Sequence, residues 1–163
     1  MRPFVLLILF YVPLFVYSQE LRVLHWDDLV PDKAQEILRT SKPRAINHDG
    51  SLAVQKDNIE YNLLNHELTD QYVKIPGFVV PLEMQNNKVI EFFIVPYFGA
   101  CIHVPPPPPN QLLHATSKIG IDVSDLNQPY WFQGKITANM TENSIAKAGY
   151  QLSLDEVALY DGY

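Results

Sequence analysis

The sequence predicts a mainly β domain: a small five-stranded barrel of the OB type, preceded by a partly helical N-terminal extension. Three observations carry this reading. From Tyr72 onward, β-branched and aromatic runs recur with turn residues between them. The last run, 149–160, alternates: Tyr150, Leu152 and Leu154 share one face, and Gln151, Ser153 and Asp155 the other. Glycine interrupts strand-like runs, at Pro76-Gly77 and at Gly134, where a bulge or sharp bend can curve a strand into a barrel. A β-sandwich is the alternative packing of the same strands.

The first eighteen residues stand apart from that domain. Arg2 precedes an apolar run from Phe4 to Val16, and Val16 and Ser18 occupy the −3 and −1 positions of a small-residue cleavage site. The run falls short of the roughly 20 residues that a spanning helix needs. The expectation is a signal peptide cleaved near Ser18, a periplasmic address and no stable membrane insertion after cleavage, with a retained anchor as the alternative. Residues 19–69 then form the extension and 70–163 the barrel domain. The mature chain carries 11 basic and 18 acidic residues, and the basic ones are scattered, which argues against nucleic-acid partners.

Within the extension, LRVLHW (21–26) reads as a short strand or an extended segment anchored by Trp26. Pro31 and the residues after it read as a short helix with proline in its first turn. Residues 41–50 are rich in turn formers. Ile59, Leu63, Leu64 and Leu68 fit one amphipathic helix over 57–68.

In the barrel domain, runs 72–83 and 89–98 flank a turn at 85–88, which predicts an antiparallel hairpin. Runs at 119–125, 128–140 and 149–160 supply the remaining strands. Tyr97, Phe98, Tyr130, Trp131 and Phe132 are read as core, with a groove-lining role as the alternative. Asp155 and Glu156 are neighbours on a strand and should point to opposite faces, so a shared acid/base site is not expected there.

The chemistry concentrates in YFGACIHVPPPPPNQLLHA (97–115). Cys101 is the sole cysteine, so an exported chain cannot pair it internally. In an extended backbone Cys101 and His103 project from one face. The pair suits zinc or another borderline metal, or a thiolate stabilised by an imidazolium; a buried structural cysteine is the third reading. His114 is a further candidate ligand, and His25, His48 and His66 are more remote ones. Pro105, Pro106, Pro107, Pro108 and Pro109 favour a stiff polyproline II rod, read as a connection between strands or as a docking element together with Asn110 and Gln111. Phosphate loops, GxSxG and HExxH are absent from the sequence.

GFVVPLE (77–83), EFFIVPYFGACIHVPPPPPNQ (91–111), QPYWFQGKI (128–136) and AGYQLSLDEV (148–157) resemble the signature of an exported bacterial family, domain of unknown function 3299. HWDDLVP (25–31) resembles its opening. The family's members are often encoded beside an ABC transporter of the macrolide-exporter type and an exported zinc-responsive protein. The resemblance implies a periplasmic accessory role in zinc handling, with a transporter or envelope partner. It carries over Cys101 and His103, with Asn110 and Gln111. The resulting expectation is a non-enzymatic protein that binds zinc through Cys101 and His103. An interaction module built on the proline segment and a thiol-dependent enzyme are the alternatives.

Overall fold

The computed structural model describes residues 20–40, 62–100, 106–122 and 125–162, with the side chains of 37–40 and 119 left aside. The signal peptide, the turn-rich stretch 41–50, the first part of the expected helix 57–68 and Cys101–Pro105 all lie outside the described residues.

Six strands are present among the described residues: β1 (Leu21–Val23), β2 (Tyr72–Gln85), β3 (Lys88–Val95), β4 (Leu113–Ile121), β5 (Tyr130–Glu142) and β6 (Lys147–Leu159). The sheet runs β1-β2-β3-β4-β6-β5 and closes where β2 also pairs with β5. The five strands β2 to β6 are therefore a closed barrel, with the OB strand order and its parallel pair, here β4 with β6. β2 closes the ring by changing partner midway. Tyr72–Gly77 pair with β5, and Phe78–Gln85 pair with β3. β1 adds a short parallel edge at Tyr72–Lys74.

Local sequence explains most of these elements. Asn86 and Asn87 both adopt positive φ, at 50° and 64°, as a tight primed turn between β2 and β3 requires. At Gly134 the register of β5 against β6 shifts, with Gln133 facing Glu156 and Gly134 facing Leu154. A Cβ at Gly134 would lie 2.2 Å from the carbonyl oxygen of Ser153, so only glycine allows this approach. The bulge inferred from sequence is there.

Two expectations need correction. The third barrel strand begins at Leu113, ahead of the expected 119–125. LLHATSK alternates inward Leu113, Ala115 and Ser117 with outward His114, Thr116 and Lys118, a pattern overshadowed by the prolines before it. The helix over 57–68 is not continuous through its described part. Asn65 accepts a hydrogen bond from Glu67 N and starts a 3₁₀ turn, His66–Leu68, because its side chain competes with helical bonding. The helix α1 (Asp32–Thr40) stands where Pro31 predicts it.

The core fills the barrel with Val73, Ile75, Phe92, Ile94, Leu113, Phe132, Ile136, Tyr150 and Leu152. Leu24, Leu29 and Leu68 of the extension join the same cluster, so its described parts are built into the barrel's core. A second cluster, Val80, Phe93, Val95, Ala100, Leu112 and Ala148, lies outside the barrel wall. β3 is buried on both faces at Phe92–Val95, which accounts for the unbroken FFIV run. Tyr130, Trp131 and Phe132 are buried as expected, while Tyr97 and Phe98 are exposed. Among the described residues no helix is long and apolar enough to cross a membrane.

Candidate functional site

Cys101 and His103 lie outside the described residues, but both shoulders of their segment are placed. Ala100 is fully buried in the outer cluster with Phe93 and Leu112. The chain is described again at Pro106, which is exposed, and dips at once into the protein. Pro107 is buried, Pro108 and Pro109 are half-buried, and Asn110 is buried.

Pro108 has φ −61° and ψ 155°, the polyproline II conformation read from the sequence, and the run ends in a 3₁₀ turn, Pro109–Gln111. Pro109 lies on β6, where a Cβ at Gly149 would come within 2.6 Å of the Pro109 carbonyl oxygen. Gln111 Nε2 donates to the carbonyl of Trp26 at 2.8 Å, and Asn110 Nδ2 to that of Leu63 at 3.5 Å. Trp26 Nε1 in turn donates to Pro76 O at 2.8 Å. The described prolines are thus a strut, wedged between β6 and the N-terminal extension.

His114 stands on the outward face of β4, beside the same outer cluster. Its Nε2 lies 2.7 Å from Glu91 Oε1 on β3, and its ring meets the edge of Phe93 at 5.8 Å between centroids. A carboxylate only accepts, so the imidazole carries a proton on Nε2 in this contact. That is the carboxylate–histidine pairing found behind metal-bound imidazoles. Sequence reading selected His114 but missed Glu91, which is 23 residues away and joins it only through the β3–β4 register that pairs Glu91 with Thr116. His25 and His66 are exposed and stand apart from this pair, and His48 lies outside the described residues. Among the described residues no group of three or more His, Cys, Asp or Glu is placed to hold a metal ion. The apolar ground beside Ala100 is hollowed into a pocket of about 170 Å³, walled by Phe78, Val80, Val95 and the exposed Phe98 and Leu126.

Tyr150, which shares a strand face with Leu152, is fully buried in the barrel core. Its hydroxyl donates to Leu29 O at 2.5 Å and accepts from Asn65 N at 2.7 Å. Burial pushes its pKa up to about 12.

With this geometry in place, the comparisons decide the family. The profile of DUF3299, described as a protein of unknown function, matches residues 26–159. The chain belongs to the DUF3299 family. A DUF3299 family protein from Pseudomonas aeruginosa PAO1, known from a crystal structure at 2.45 Å resolution, is similar to it. The two share 30% identity and a TM-score of 0.70, over 88% of this chain and 99% of that one. No curated protein matches. The DUF3299 match spans the barrel, the strut and His114, and begins at Trp26, the residue that the strut grips.

Proposed function

We propose that this DUF3299 protein is a periplasmic accessory protein that binds zinc through Cys101, His103 and His114, and that it serves an ABC-type transporter. The single observation that carries the reading is the Glu91–His114 pair, a pre-oriented imidazole on the outer wall. It stands in contact with Phe93, which packs in one cluster with Ala100, the residue before Cys101. Glu91 and His114 supply one ligand and its support. Cys101 and His103 bring the count of protein ligands to the three that an accessible zinc site uses.

Metal analysis of purified mature protein tests this. About one zinc per chain is expected, lost in Cys101→Ser, with affinity lowered about tenfold in Glu91→Gln. Metal-free protein whose melting is unmoved by added zinc overturns the proposal.

A second reading has its own support. Tyr97 and Phe98 are 44% and 54% exposed next to the same segment, and they offer an aromatic surface to an envelope partner. Photo-crosslinking from Phe98 in cells should then capture one defined protein. A clean lane, with function retained in Phe98→Ala, argues against it.

A further inference from the structure

The chain beyond β6 is pinned to the outer wall of the barrel at one tryptophan. Tyr130 and Phe132 face the core, so Trp131 between them points away from it, yet Trp131 is only 5% exposed. Cover comes from both neighbouring strands. Lys74 on β2 holds its Nζ 4.8 Å from the indole centroid, and Tyr160, just after β6, stands tilted against the indole at 5.0 Å between centroids. Tyr160 N donates to Pro129 O at 3.1 Å, one bond past the last Cα pair of β5 and β6. Trp131 Nε1 then donates to Asp161 Oδ1 at 3.1 Å. Tyr160 and Asp161 thus form a strap over Trp131.

The strap carries a reactive dipeptide. Asp161 is followed by Gly162, and both are exposed. Gly162 has φ 71°, and a Cβ there would meet none of the described residues within 4 Å. A glycine nitrogen is the least hindered of backbone nucleophiles, so its approach to the Asp161 carboxyl is open. What opposes the reaction is the grip on that carboxyl. The Trp131 N–H foremost, with the backbone N–H of Asp161 itself and Lys74, holds it below the usual carboxylate range. Attack needs the neutral acid, whose hydroxyl can leave as water.

We infer that Asp161–Gly162 is a site of spontaneous aspartate isomerisation, restrained by Trp131, and that conversion releases the strap. The Gly162 nitrogen attacks Asp161 Cγ. An N–Cγ bond forms, the nitrogen gives up its proton and the carboxyl its hydroxyl, and one water departs. The resulting succinimide takes one water back at either carbonyl. Opening at the main-chain carbonyl leaves the chain running through Cγ, as isoaspartate. Its free carboxylate then sits on Cα, one carbon closer to the chain, while the chain itself is one methylene longer. The carboxylate no longer stands where Trp131 Nε1 points. The site does not involve Cys101 or His114, so it stands or falls apart from the zinc proposal.

Ageing the purified protein at neutral pH tests the inference, with peptide mapping by mass spectrometry and isoaspartyl methyltransferase as the probe. Isoaspartate should accumulate at position 161, severalfold more slowly than in a free peptide of residues 157–163. Trp131→Phe, which keeps a ring and removes the N–H, should convert severalfold faster than wild type. Gly162→Ala, which leaves the barrel wall untouched, should convert severalfold slower. In wild type the tryptophan emission should move to the red, and open to acrylamide quenching, in step with conversion. That change should be absent from Trp131→Phe and delayed in Gly162→Ala. No isoaspartate at 161 while the free peptide converts overturns the inference. So does a Trp131→Phe rate no higher than wild type, or conversion with unchanged emission.

Discussion

Tyr150 does the work of two residues. Its ring fills the barrel core, and its hydroxyl satisfies Leu29 O and Asn65 N, one from each of the extension's two described parts. Tyr150→Phe keeps the ring and orphans both backbone groups, so a loss of about 1–3 kcal/mol in urea unfolding is expected. A pH dependence follows as well. The folded-state pKa stands near 12, above the ordinary value of 10.0, so the neutral phenol is favoured by folding. This contribution is complete below pH 10.0 and drains away as pH rises from there toward 12. Wild type should lose stability across that window, and Tyr150→Phe should show a flatter profile. Alternation in the sequence put Tyr150 on one strand face with Leu152 and Leu154. It could not identify the hydroxyl's partners, which lie 121 and 85 residues away.

Among the elements, the proline strut and the β6 bulge were legible to different degrees. Polyproline II geometry is a property of the residues themselves, and so it could be read directly. Where the strut rests is a property of Gly149, Trp26 and Leu63, which only the fold brings to it. Gly149→Ala should therefore cost about 1–3 kcal/mol, measured as a lower urea midpoint, because the new methyl collides with Pro109 and Leu64. Gly134 announced a bulge in advance, yet its effect on the opposite strand could not be read. Strict alternation separates Asp155 from Glu156, and the extra residue opposite Gly134 puts both on one pocket. The start of β4 was hidden for a third reason. Its alternation is sound, but it follows the prolines after only a short 3₁₀ turn.

For the whole molecule, the OB-type barrel was readable because strand number, turn chemistry and glycine positions all pointed to closure. The zinc proposal draws on that level too. His114 and Glu91 come together on the outer wall through the β3–β4 register, whereas Cys101 and His103 were chosen from motif alone.

The β6 strand has a consequence for how the chain comes to be folded. It is the last of the described strands, yet it joins β4 on one side and β5 on the other, so the ring cannot close without it. A chain truncated after Asn143 should show no cooperative thermal transition by circular dichroism, where the chain that retains β6 shows one. As the chain is synthesised N-terminus first, the barrel cannot close until Lys147–Leu159 is available, because those residues supply the seam between β4 and β5.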